Sequence, residues 1–135
     1  DAEAPAMRTY LFLLGYPFSG TTAAHYFLGT SKQVSTLRGK NVFEPQKEGW
    51  SVHGLKDAIH KMKDRWLEDD QAYPWESLSR SYHDHWDLSK PILLENSPPE
   101  IIHAPKLYET FKRNDTDVRF VVLIRSPCNQ RISNA

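Results

Sequence analysis

Short, continuous apolar runs are the feature that most constrains the fold of this chain. Tyr10–Leu14 and Arg119–Ile124 are apolar at nearly every position, a pattern typical of strands buried on both faces of a parallel sheet. Gln33–Leu37 and Ile92–Leu94 are weaker runs of the same kind. Because helical segments separate these runs, the sequence predicts an α/β fold, a parallel sheet of about four strands with helices on both faces.

The helices are predicted from apolar residues at helical spacing and from the glycines and prolines that bound them. They are Thr21–Leu28, Leu55–Leu67, a helix that Pro74 opens, Lys106–Lys112 and a helix that starts at Asn129. The 135 residues suit one domain. We therefore expect residues 1–135 to form a single α/β domain, incomplete at its C-terminal end because the chain stops within the last predicted helix.

The amino-acid composition argues against some classes of binding partner for this chain. Lys plus Arg and Asp plus Glu both number 17, whereas a protein that holds a polyanion by charge carries a basic excess. We therefore expect no nucleic-acid partner. No apolar run approaches the roughly 20 residues that span a bilayer, so no membrane span is expected in this chain. The single cysteine, Cys128, cannot form an internal disulfide, which leaves both the cytoplasm and the Golgi lumen open.

Ligands of open parallel sheets bind beyond the carboxyl ends of the strands. The four segments that follow the predicted strands are therefore the candidates for ligand binding and catalysis. They are Gly15–Thr22, Arg38–Glu44, Glu95–Ser97 and Arg125–Ser133.

The first of these segments has the composition of a phosphate-binding turn. Gly15 and Gly20 let the backbone approach a ligand, and the helix that starts at Thr21 offers N–H groups to an anion. The spacing matches the nucleotide-triphosphate loop except that Thr21 replaces its lysine. That replacement argues against ATP or GTP hydrolysis and favours a single 5′ phosphate group. The alternative is a glycine-rich turn that binds no ligand.

The last segment contains two further groups that suit a phosphate. Arg125 directly follows the most apolar strand, and Ser133 lies eight residues further on. The planar guanidinium of arginine binds phosphate through two hydrogen bonds, and a serine hydroxyl donates another. The alternative is an ion pair between Arg125 and a surface carboxylate. Taken together, the two segments predict a ligand with two separated phosphates.

These two patterns, G-x-P-x-S-G-T-T from Gly15 and R-x-P-x(5)-S from Arg125, resemble those of the sulfotransferases that use 3′-phosphoadenosine 5′-phosphosulfate (PAPS). Glu95-Asn-Ser-Pro98 is similar to the E-K-S-P segment of the carbohydrate and Golgi-type branch. The resemblance implies a P-loop-like sulfotransferase fold. It also implies that the cofactor-binding residues are Phe18, Ser19, Gly20, Thr21 and Thr22 at the 5′-phosphosulfate and Arg125 and Ser133 at the 3′-phosphate.

The activity implied is transfer of a sulfuryl group from PAPS to a hydroxyl acceptor, a carbohydrate or a small molecule, with adenosine 3′,5′-bisphosphate (PAP) as the product and no metal. Family members carry Lys or Arg where Phe18 stands, and a Lys-Glu pair where this chain has Lys40-Asn41. We therefore expect Lys40 to supply the catalytic cation and Glu44, or as second choice Glu95, to act as the base.

These departures leave two further functions open. One is a non-catalytic nucleotide-binding or regulatory domain of the same fold, which Phe18, Asn41 and Asn96 favour. The other is a small P-loop kinase, against which Thr21 argues.

Overall fold

The computed structural model describes residues 7–16, 19–37, 73–126 and 128. Four strands form one sheet in the order β2-β3-β1-β4, and every pair is parallel. The strands are β1 (Arg8–Leu14), β2 (Val34–Ser35), β3 (Ile92–Asn96) and β4 (Thr116–Val122). The predicted α/β class and four-stranded parallel sheet are therefore confirmed.

Within the described residues, three α-helices and one 3₁₀ helix lie before or between the strands. α1 (Thr21–Leu28) follows β1, α2 (Trp75–His85) precedes β3, and α3 (Ala104–Phe111) lies between β3 and β4. The 3₁₀ helix Pro98–Ile102 follows β3. α3 begins two residues before the predicted start at Lys106. The predicted helices at Leu55–Leu67 and from Asn129 lie outside the described residues.

β1 is apolar at nearly every position because helices cover both of its faces. Tyr10, Phe12 and Leu14 belong to a large cluster with residues of α2 and α3. Leu13, which points to the opposite face, packs with α1 residues and Leu94. Successive strand residues alternate between faces, so a continuous apolar run fills two cores at once.

Aromatic rings dominate the larger of the two cores. The ring of Phe111 in α3 lies 4.9 Å from that of Tyr10 and 5.2 Å from that of Phe12, measured between centroids. The indole nitrogen of Trp86 donates a hydrogen bond of 3.0 Å to the carbonyl oxygen of Leu94. This bond fixes the C-terminal end of α2 to the backbone of β3.

The observed strand ends differ from the predicted ones. β2 is shorter than predicted, because only Val34 and Ser35 pair with β3. β4 starts at Thr116 rather than Arg119 and ends at Val122, because its pairing with β1 begins opposite Arg8 and includes polar residues. The Thr116 hydroxyl also donates to the carbonyl oxygen of Phe111 at the end of α3, at 3.0 Å. The pattern of apolar residues in the sequence carries no information about hydrogen bonds of polar residues. The strand ends predicted from that pattern were therefore wrong.

His83, near the C-terminal end of α2, is half-buried although it stands in the polar sequence His83-Asp-His85. Its Nε2 lies 2.7 Å from the hydroxyl oxygen of Tyr10. Its Nδ1 lies 2.7 Å from the carbonyl oxygen of Ser79, so the ring joins α2 to β1. Within the described part of the chain, no cluster of three His, Cys, Asp or Glu side chains could hold a metal, and no helix is long and apolar enough to cross a membrane.

We expect Leu94→Ala to lower the free energy of unfolding by about 2–5 kcal/mol, because it leaves a cavity between Leu13 and Val34. Leu88→Ala is the matched control, since that leucine is 36% exposed and its loss should cost less than about 1 kcal/mol. Urea denaturation of both variants measures the difference. Equal losses would contradict the placement of Leu94 in the core beneath α1.

Candidate functional site

The turn between β1 and α1 is closely packed against the end of β4. A Cβ atom added to Gly15 would lie 2.3 Å from the Ser19 hydroxyl oxygen, 2.9 Å from the Thr21 methyl carbon and 3.2 Å from the Leu123 carbonyl oxygen. Real side chains do not tolerate such contacts. A side chain at residue 15 would force Ser19, Thr21 and the end of β4 to shift, so glycine allows the chain to fold back closely onto the start of α1.

Gly20 sets the direction in which α1 begins. Its φ angle is +101°, in the left-handed region that glycine adopts readily and other residues rarely adopt. Among the residues that the structure describes, no side chain caps the N-terminus of α1, and the first turn of the helix carries no acidic residue. The first N–H groups of a helix have no partner within the helix, and the helix dipole is positive there. This end of α1 is therefore suited to an anion.

Ser19 adds a hydroxyl group at the same place. The residue is only 9% exposed, and its hydroxyl oxygen has no hydrogen-bond partner among the described residues. Its backbone N–H donates to the carbonyl oxygen of Tyr16 at 3.1 Å, which fixes the turn. A buried hydroxyl without a partner costs free energy. A hydrogen-bond acceptor placed beside this hydroxyl would remove that cost.

Arg125 lies at the same edge of the sheet. The pairing of β1 and β4 continues past the strand ends, where the Leu123 N–H donates to the Leu14 carbonyl oxygen at 2.8 Å. Arg125 follows two residues later and is exposed. The neighbouring strands β1 and β4 therefore bring both predicted phosphate-binding segments to one edge.

The described residues account for five of the predicted site positions. Thr21 is buried at the first position of α1, and Thr22 beside it is exposed. With Ser19, Gly20 and Arg125 they lie at the carboxyl edge. The other predicted positions, Phe18, Lys40, Glu44 and Ser133, lie outside the described residues.

The end of β3 and the segment after it contain a buried polar cluster. The sequence singled out Glu95 and Ser97 in this cluster but neither Glu100 nor Tyr82. Glu95 and Glu100 are both fully buried. The Ser97 hydroxyl donates to Glu95 Oε1 at 2.5 Å, and the Tyr82 hydroxyl donates to Glu100 Oε1 at 2.8 Å. Glu95, the second choice for the base, thus faces α2 in the protein interior. Asn96, the next residue, is buried as well.

Burial raises the pKa of the Glu100 carboxyl well above its usual range, and the adjacent Glu95 raises it further. Burial also raises the pKa of the Tyr82 hydroxyl, with a further contribution from Glu100. Tyr82 therefore stays protonated and acts as a donor. The only sequence signal for this cluster was the pair of acidic residues on either side of Ser97-Pro98-Pro99, which says nothing of a contact with Tyr82.

Comparison of the chain with protein-family models, with curated proteins and with solved structures finds no match.

We expect Gly15→Ala to lower the free energy of unfolding by about 1–3 kcal/mol, because the added methyl group overpacks the turn. Gly29→Ala is the control, since Gly29 ends α1 at φ −66°, an angle that alanine adopts without strain. Thermal and urea denaturation measure both. If Gly15→Ala were as stable as Gly29→Ala, the close approach of Ser19 and Leu123 to Gly15 would be wrong.

Proposed function

We propose that this chain binds PAPS at the carboxyl edge of its sheet and transfers the sulfuryl group to a hydroxyl acceptor. The observation that carries the proposal is the geometry of the β1–α1 turn. A left-handed glycine, a helix start without a side-chain cap among the described residues and the buried Ser19 hydroxyl follow one another within three residues of the chain. The resemblance of the sequence around this turn to the PAPS-dependent sulfotransferases supports the choice of anion.

The residues of the turn favour one phosphate group over a triphosphate. A triphosphate requires a cation such as the lysine of the nucleotide-triphosphate loop, and Thr21, buried at that position, has none. Backbone N–H groups and hydroxyls stabilise one phosphate without that cation. The 5′-phosphosulfate of PAPS is a ligand of this size.

The second phosphate of the ligand is assigned to Arg125. This residue is at the end of β4, which is the neighbour of β1 in the sheet. A ligand held at the start of α1 can therefore extend toward Arg125 along the edge. The guanidinium would bind the 3′-phosphate through two charge-assisted hydrogen bonds, which AMP and ATP cannot make.

In the proposed transfer, the acceptor oxygen forms a bond to sulfur while the bond from sulfur to the bridging phosphate oxygen breaks. PAP leaves with that electron pair, and the acceptor proton passes to a base. Glu44 is assigned as the base and Lys40 as the cation that stabilises charge on the bridging oxygen. The N–H groups at the start of α1 and the Ser19 hydroxyl would hold the 5′-phosphate during the step.

A second candidate is a domain of the same fold that binds the nucleotide without transferring sulfate. The observation in its favour is Asn96. It is buried at the end of β3, where the related E-K-S-P segment carries a lysine. An uncharged side chain there provides no cation for the leaving phosphate.

We expect PAP, and neither AMP nor ATP, to raise the thermal unfolding temperature of the protein. A ligand at 100 times its dissociation constant stabilises by about 2.7 kcal/mol, which a melting curve resolves. A shift with ATP alone would favour a kinase and contradict the proposal. A shift with PAP but no sulfate transfer to any hydroxyl acceptor would favour the non-catalytic domain.

We expect Ser19→Ala to weaken PAP binding by about 10- to 100-fold, because a hydrogen bond to a charged group contributes about 1.5–3 kcal/mol. Without ligand, the variant should be at least as stable as the wild type, since the hydroxyl has no partner to lose among the described residues. Calorimetric titration measures the dissociation constant for PAP, and urea denaturation without ligand measures the stability of the variant. Ser81→Ala, on α2, is the control and should bind normally.

A further inference from the structure

The outer edge of β4 has backbone groups that point away from the sheet. β4 is the last strand in the sheet order, and among the described residues it pairs with β1 alone. Successive residues of a strand direct their N–H and C=O groups alternately to its two sides. The Leu123 N–H donates to β1, and the Asp115 carbonyl oxygen accepts from β1. The odd-numbered residues of this segment therefore face β1, and the even-numbered residues face outward.

The first part of this outer edge is closed by side chains of the chain itself. The Nζ of Lys112 donates to the carbonyl oxygen of Thr116. The N–H of Val118 donates to Asp117 Oδ1 at 3.0 Å. Side chains that occupy the backbone groups of an edge strand hinder the pairing of a further strand there. Pairing with a further strand is therefore disfavoured near the start of β4.

The second part of the edge is open and apolar. The outward N–H and C=O groups of Phe120 and Val122 have no hydrogen-bond partner among the described residues. Val121 is 41% exposed, Val122 is 54% exposed, and Ile124, just beyond the strand, is 91% exposed. These residue types favour strands, and an apolar edge with unpaired backbone groups is a template for a further strand. We call residues 120–124 the open edge.

We propose that the open edge binds the open edge of a second copy of this chain. The two strands pair antiparallel about a two-fold axis at Val121, so that the contact is self-complementary. In this register the outward N–H and C=O groups of Phe120 face those of Val122 in the second copy, and the reverse holds across the axis. The two sheets then form one continuous sheet through β4.

The side chains select this register over the neighbouring ones. With the axis at Val121, Asp117 lies opposite Arg125 of the second copy, so that opposite charges face each other on both sides of the axis. An axis one residue later places Arg119 opposite Arg125, which are like charges. An axis one residue earlier places Asp117 opposite an apolar residue. The valines at 121 also lie against each other across the axis and are covered.

The proposed dimer is compatible with a nucleotide at Arg125. A planar guanidinium has several N–H donors in a fixed fork, enough to bond a carboxylate and a phosphate together. The evidence for the dimer is the backbone and the side chains of β4, so it does not rest on the proposed function.

Sedimentation velocity of the whole chain, from about 1 μM to about 1 mM, tests the association. We expect a concentration-dependent dimer in the wild type. Val121→Lys should weaken the association by about 100-fold or more, because two lysines would face each other across the axis. Tyr108→Lys is the matched control, since Tyr108 lies on α3 and is similarly exposed, at 46%, and it should dimerise normally. A monomeric wild type over this range, or undiminished dimerisation of Val121→Lys, would overturn the proposal.

Cysteine cross-linking tests the register, in a Cys128→Ser background that removes the exposed native thiol. Residues that face each other at a non-hydrogen-bonded position have Cα atoms about 4.5 Å apart, within the range of a disulfide. Val121→Cys should therefore form a covalent dimer under mild oxidation. Arg119→Cys should not, because its counterpart lies four residues along the partner strand, about 13 Å away. Equal cross-linking of the two variants, or none with Val121→Cys, would contradict the proposed pairing.

Discussion

The parallel pairing of β1 with strands on both of its sides is the interaction on which the rest of the structure depends. β1 pairs with β3 from Thr9 to Leu13 and with β4 from Arg8 to Leu14. Since all three strands run the same way, their carboxyl ends meet at one edge. The β1–α1 turn, Glu95 and Arg125 all lie along that edge, because each is at the end of one of these strands or follows it.

At the carboxyl edge of the sheet, the two faces differ in their electrostatic environment. On the face beneath α1, the helix start and the Ser19 hydroxyl offer hydrogen-bond donors to an anion. On the opposite face, Glu95 and Glu100 are fully buried, and each accepts a hydrogen bond from a hydroxyl group. The sheet therefore separates the proposed anion site from these two carboxyl groups.

The sequence predicted the features that depend on local pattern. Apolar runs indicated the buried strands, and the glycines at 15 and 20 indicated the turn, because a continuous run and a required glycine are each visible within a few residues. The hydrogen bond between Tyr82 and Glu100 was missed because the two residues are 18 apart in the chain and only the packing of α2 brings them together. The role of His83 was missed for the same reason, since its partner is Tyr10 on β1. Strand ends were misplaced where polar residues such as Thr116 join the pairing.

The central claim is that the start of α1 binds a phosphate group, and site-resolved NMR during titration with PAP tests it most directly. The account predicts that the backbone amide resonances of Ser19, Gly20, Thr21 and Thr22 shift together and saturate with one dissociation constant, accompanied by the side-chain resonance of Arg125. Resonances of the groove between α2 and α3, such as those of Arg80 and Arg113, should stay unchanged. Shifts confined to that groove, or no saturable shift at the turn, would contradict the account.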